Sequence, residues 1–168
     1  MEAVAVTDHG TMSGLVELYK ECNNAGIKPI LGLEAYVAAR KMTDRDPAHD
    51  KQRFHITLLA MNNQGFENLC RIMSNAEEYG KYYKPRTDHD ELEKYNEGII
   101  CLSGCMGSEI AEAIRAGDDK RALELINSIR KRTSPLTVRQ RRPGRMKARP
   151  SWALRRISSR IPMTTLRQ

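Results

Sequence analysis

The sequence predicts an α/β fold, and three observations carry that prediction. Short apolar runs alternate with segments whose apolar residues recur at helical spacing, turn and cap residues stand at the junctions, and no internal repeat breaks the alternation. With 168 residues and 40% hydrophobic content the chain can supply one core of ordinary size.

Taken in order, Ala3-Val4-Ala5-Val6 reads as a buried strand that ends in the polar turn Thr7-Asp8-His9-Gly10. A helix is expected from about Met12 to Ala25, with Leu15, Leu18, Tyr19 and Cys22 on its buried face and Gly26 at its C-terminal cap. Lys28 to Val37 is the next strand. Residues 39–53 follow neither period and read as an exposed loop. His55 to Ala60 is a strand, and Asn62-Asn63 opens a helix whose apolar face is Phe66, Leu69, Cys70 and Met73. After a polar connection from Lys81 to Arg86, Asp88 stands three residues before Glu91, the spacing of an N-cap and its returning carboxylate. Gly98 to Ser103 is the last clear strand. A helix from Ser108 to Ala116, with Ile110 and Ile114 on one face, precedes a further helix that Asp118 caps and that reaches at least Ile126.

The formal charge of +7 first suggests a nucleic-acid binder, but it is unevenly placed. Residues 1–126 carry 15 Lys/Arg against 21 Asp/Glu, a net −6, whereas residues 127–168 carry 13 Lys/Arg and no acid, a net +13. Four prolines and an excess of Arg over Lys accompany that change, with no sustained period, so nothing beyond Ile126 predicts a packed element. Residues from about Asn127 read as the out-of-frame translation of GC-rich DNA. A basic arm that binds phosphates, or a disordered linker, are the other readings of the same composition.

No apolar run approaches the roughly 20 residues of a membrane span, and no leader pattern opens the chain, which points to a soluble, cytoplasmic protein without a membrane partner. Cys22, Cys70, Cys101 and Cys105 are too irregularly spaced for a disulfide framework or a zinc ribbon.

In alternating α/β chains polar residues at the C-terminal ends of strands collect ligands. Asp8-His9 follows the first strand, Glu34 comes late in the second, and Cys105 follows the strand ending at Ser103. His55 begins a strand, which fits only if that strand runs the other way or joins from the rim. His9, Glu34, His55 and Cys105 form a coherent donor set for Zn²⁺ or Mn²⁺. Singly, each reads equally well as a turn residue, a surface carboxylate or a small buried side chain; only the set makes a case.

Several strings carry a resemblance: Val6-Thr7-Asp8-His9-Gly10, the run Ala25 to Val37, His55-Ile56-Thr57-Leu58-Leu59-Ala60, Tyr82-Tyr83-Lys84-Pro85-Arg86, and Leu102-Ser103-Gly104-Cys105. In order and spacing they resemble the polymerase and histidinol phosphatase (PHP) domain, in the version at the N-terminus of bacterial DNA polymerase III alpha subunits. The likeness runs from about residue 2 to residue 126. It implies a distorted (β/α)₇ barrel with a metal cluster, places His9, Glu34, His55 and Cys105 at ligand positions, and leaves Asp8 to orient the His9 ring. The implied chemistry is phosphoester hydrolysis of the 3′→5′ exonuclease kind, with a divalent ion, Zn²⁺, Mn²⁺ or Mg²⁺, as cofactor. DNA and the other replicase subunits are the implied partners of a parent polymerase.

The departures matter as much. The family's His-any-His strand and its nearby acidic ligand precede the Thr-Asp-His-Gly segment, and here only five residues stand before Val6. Its closing Asp-any-His pair lies beyond the Ser-Gly-Cys turn, where this chain has no His; Asp88-His89-Asp90 comes earlier and reads as a helix cap. The expectation is a partial barrel over residues 1–126, lacking its first strand and last units, followed by a disordered basic tail over 127–168. This would be a fragment of a polymerase alpha subunit, without the polymerase centre and with weak or no hydrolysis of its own. A free-standing PHP phosphoesterase and a tail-driven nucleic-acid binder are the alternatives.

Overall fold

The structure, a computed structural model, describes residues 1–132, and it arranges them as a five-stranded mixed sheet with helices packed against it. The elements are β1 (Ala3–Val6), α1 (Leu15–Asn24), β2 (Lys28–Ala38), β3 (Arg53–Ala60), α2 (Asn63–Glu78), β4 (Arg86–Thr87), α3 (His89–Lys94), β5 (Ile99–Leu102), α4 (Glu109–Arg115) and α5 (Asp119–Arg132). The strand order is β1-β2-β3-β5, with the two-residue β4 beside β2. β1 and β4 run parallel to β2, and β3 runs antiparallel to both β2 and β5.

Alternation along the central pair divides the sheet into two faces. Leu33, Ala35 and Val37 of β2 and Ile56 and Leu58 of β3 form the core with Leu69 and Ile72 of α2, Leu92 of α3 and Ile99 of β5. Glu34 and Tyr36, with Arg53, His55 and Thr57, therefore stand on the opposite face, where every one of them is partly accessible.

Caps fall where the sequence places them. The side chains of Asn62, Asp88 and Ser108 accept hydrogen bonds from Gly65, Glu91 and Ala111 N–H, and Asp118 accepts from Arg121 N–H. The buried faces differ from expectation in three helices. In α2 the inward residues are Gly65, Asn68, Leu69, Ile72 and Ala76, one position round from the expected face, and Phe66 is exposed. A side chain on Gly65 would overlap Gly98 O, and Asn68 Nδ2 donates to Glu97 O at 2.9 Å, so close backbone approach and an amide hydrogen bond set the rotation. Tyr19 of α1 and Ile114 of α4 also face outward, while the small Ala113 is buried.

Residues 39–53 form the expected loop and most of them are exposed, but Asp50 within it is buried. Asp50 is 1% exposed: it binds Arg40 with both oxygens, at 2.9 and 2.7 Å, and accepts Asp46 N–H at 2.7 Å. Arg86 is also 1% exposed, and its guanidinium donates to the carbonyls of Gly80, Asp50, Met42 and Asp44 at 2.8–3.1 Å. Asp88 adds Met42 N–H to its cap at 2.9 Å. The loop thus folds around two charged side chains that satisfy its backbone. The Arg40 hydrogen bonds hold the Asp50 carboxyl down to about 2, and burial lowers the pKa of Arg86.

The helix expected to reach at least Ile126 continues to Arg132, and Ile129 packs against the core. The boundary drawn at the change of composition therefore falls inside α5, because the apolar i, i+4 spacing of Leu125 and Ile129 outlasts the acidic residues. The remainder of the basic segment lies outside the described residues. No helix among the described residues is long and apolar enough to cross a membrane.

Candidate metal centre

The register of three segments brings His9, Glu34 and His55 together. Beyond the end of β1, Glu34 N–H donates to Asp8 O at 3.1 Å and Gly10 N–H donates to Glu34 O at 2.9 Å, a parallel bridge that sets His9 beside Glu34. On the other edge of β2, Glu34 lies opposite Thr57 and Tyr36 opposite His55. That antiparallel pairing resolves the position of His55: the start of β3 lies at the same end of the sheet as the C-terminal part of β2.

Glu34 Oε1 lies 3.2 Å from His9 Nε2 and 2.9 Å from His55 Nδ1. One ligand atom from each of the three residues lies within 4.8 Å of the others, and the two imidazole rings meet edge to face at 5.6 Å. Bonds of about 2.0–2.2 Å from nitrogen and carboxylate oxygen to one ion fit a triangle of that size. The Glu34 side chain is 15% exposed and the His9 side chain 60%, so the cluster is rooted in the sheet and open on the His9 side.

Cys105 is the fourth expected ligand, and its Sγ stands 3.6 Å from His55 Nδ1, outside that triangle. The turn that carries it is fixed to the start of β3, with His55 N–H donating to Gly107 O at 3.0 Å. Gly104 makes this approach possible: its φ is +81°, and a Cβ there would come 2.6 Å from His55 O. Gly107 N–H points back at the thiol at 3.3 Å.

Asp8 does not take the expected position behind the His9 ring. Its Oδ2 accepts Gly14 N–H at 3.2 Å, which fastens the turn before α1. The cap reading of Asp88 holds, while His89 places Nε2 2.7 Å from Glu109 Oε2, linking the starts of α3 and α4. A wider cleft of about 750 Å³, lined by residues such as Leu15, Tyr19, Ile30, Met61 and Phe66, opens at the N-terminal end of β2, away from the cluster. Its lining supplies no group of metal ligands, so its size does not make it the reactive site.

The profile of the PHP domain family matches residues 1–135. This chain belongs to the PHP domain family. Its sequence is 46% identical over 126 residues to the DNA polymerase III subunit alpha of Deinococcus radiodurans, covering 71% of this chain and 9% of that protein. The subunit alpha of Thermus aquaticus is 47% identical over 114 residues (67% and 9%), and that of Chlamydia pneumoniae 44% over 124 (73% and 10%). The chain thus spans about a tenth of the length of these curated relatives, within their PHP portion.

Two features of this PHP domain were not found by reading motifs. Arg86, inside the Tyr82 to Arg86 string, supports the loop instead of meeting a ligand; a lone Arg before a helix cap gives no sign of burial. Tyr36 and Arg53 share the open face with the cluster, and strict alternation from Glu34 and His55 was the signal that could have found them.

Proposed function

We propose that the chain presents a divalent-metal site on the inner face of a partial (β/α)₇ barrel, and that it acts as the phosphoester-directed PHP portion of a DNA polymerase III alpha subunit. The convergence of His9, Glu34 and His55 on one point carries this reading. Two imidazole nitrogens aimed at a single carboxylate oxygen make a donor set that suits Zn²⁺ or Mn²⁺ better than Mg²⁺, and the neighbouring Cys105 thiol leans further toward zinc. When bound, such an ion supplies a water of lowered pKa and a positive charge for phosphate oxygens. Glu34 anchors the set, His55 is held by the strand and by the Cys105 turn, and His9 faces the open side.

The sheet is consistent with the partial barrel: α2, α3 and α5 pack on one face, and the strand order leaves β1 and β5 at open edges among the described residues. Sites with two or three ions need more donors than these four residues offer, so hydrolysis by this chain alone is expected to be near background. DNA and the other replicase subunits are the partners this reading implies.

Titration with Zn²⁺, Mn²⁺ and Co²⁺, followed by calorimetry and by the visible spectrum of Co²⁺, tests the site. Binding that weakens about 100-fold or more in His55→Ala and Glu34→Ala is the expected result. Equal affinity in those variants would refute the assignment. Metal-stimulated release of nucleotides from a DNA 3′ end that disappears in His9→Ala would instead show that the site is complete.

A further inference from the structure

The face that carries the cluster carries one more pair of side chains. Tyr36 lies two residues beyond Glu34, and Arg53 two residues before His55, so both share that face; across the strands Tyr36 is opposite His55 and Ala38 opposite Arg53. The Tyr36 ring meets the His55 ring edge-on at 5.2 Å, and the Arg53 guanidinium lies 5.4 Å from the centre of the Tyr36 ring. Gly10 closes on the ring as well: a Cβ at that residue, whose φ is +63°, would come 2.6 Å from Tyr36 Cε2. The ring is thereby wedged between backbone and His55, and the guanidinium rests against it on the same sheet face as the metal-ligand triangle.

Arg40 pairs with Asp50, whereas Arg45, Arg71, Arg86 and Arg53 have no carboxylate within ion-pair distance among the described residues. Of these, Arg45 and Arg71 are exposed, Arg86 is engaged by backbone carbonyls, and Arg53 is half-buried on the face that carries the cluster. A planar fork of donors left without an anion, on the same sheet face as a site for a cation, suits the two contacts that a phosphoryl group makes: one oxygen to the ion and a second to the guanidinium.

We infer that Arg53, seated on Tyr36, is the phosphate-binding arm of this site, taking a non-bridging oxygen of a phosphate ester held at the ion. This rests on the metal reading above and deepens it by naming the group that recognises the substrate class. Arg53 positions the phosphoryl group, and Tyr36 positions Arg53.

The test uses the full chain loaded with Mn²⁺ and inorganic phosphate as the probe, with phosphate affinity read from ³¹P relaxation and metal affinity measured separately on each variant. Arg53→Gln is expected to weaken phosphate binding about tenfold while metal affinity changes less than twofold. Arg53→Lys should restore part of the loss, because it returns the charge without the fork. Tyr36→Leu should weaken phosphate less than Arg53→Gln does. Phosphate affinity unchanged in Arg53→Gln, with the metal still bound, overturns the arm and leaves the metal site standing. A native chain that takes up no metal overturns the site reading itself, and the arm with it.

Discussion

Two polar clusters sit at the same end of the sheet and are built on opposite principles. Around Arg86 and Asp50, donors meet acceptors: four carbonyls face one guanidinium, and one carboxylate faces a second guanidinium and an N–H. Around Glu34, two imidazole nitrogens converge on one carboxylate oxygen with a thiol beside them. The first cluster is complete within the protein, with Asp50 and Arg86 each 1% exposed. The second is open and gathers lone pairs that only a cation, or protons on the rings, can reconcile. A closed polar cluster is used up by the fold, whereas an open one is left available to a ligand.

If that contrast is right, substitutions should separate stability from metal binding. The largest effect is expected from Arg86→Leu, which leaves the carbonyls of residues 42, 44, 50 and 80 without their donor; urea unfolding should show a loss of about 3–5 kcal/mol. A loss below about 1 kcal/mol would mean that the loop does not depend on Arg86. Leu69→Ala, in a fully buried position of α2, should cost about 2–5 kcal/mol and provides the apolar reference for the same measurement.

Acid should open the closed cluster first. The Asp50 carboxyl is held below its ordinary value, so the stability it contributes is fully present above about pH 4 and is lost as pH falls toward about 2. Hydrogen exchange of the Asp46 amide across that window would report the opening. In Asp50→Asn the same amide should exchange faster already at neutral pH; if instead it matches the native chain, Asp50 is not the latch. The smallest effect belongs to Asp8→Ala. Losing the acceptor for Gly14 N–H should cost about 0.5–2 kcal/mol and leave metal affinity unchanged. A clear fall in metal affinity there would return Asp8 to the role behind His9 that its position next to the ligand first suggested.

Most of the candidate site was legible because its residues are polar groups set at strand ends, and the strands themselves are marked by apolar runs. His9, Glu34, His55 and Cys105 could be named without coordinates, yet their convergence could not. Separation along the chain says nothing about a parallel bridge between residues 9 and 34, or about the antiparallel turn that carries His55 to the same end. Asp8 was misplaced for the opposite reason: adjacency to His9 suggested a partnership that a local turn claimed instead. The loop over residues 39–53 was read as exposed from its polar composition, and most of it is, but the burial of Asp50 within it was not legible. Polarity does not report burial when the partners, Arg86 and Asp88, stand more than 30 residues away.

The sequence by itself determined the alternation of strands and helices, the caps at Asn62, Asp88, Ser108 and Asp118, and membership of the PHP domain family. These are local or motif-borne properties, set by spacing and by the side chain at each junction. Tertiary structure alone decided the direction of β3, the rotation of α2 against Gly98, the burial of Arg86 and the seat of Arg53 on Tyr36. Each of these depends on which backbones approach closely enough to exclude a side chain or to exchange hydrogen bonds, and that is a property of the packed chain and not of any one segment.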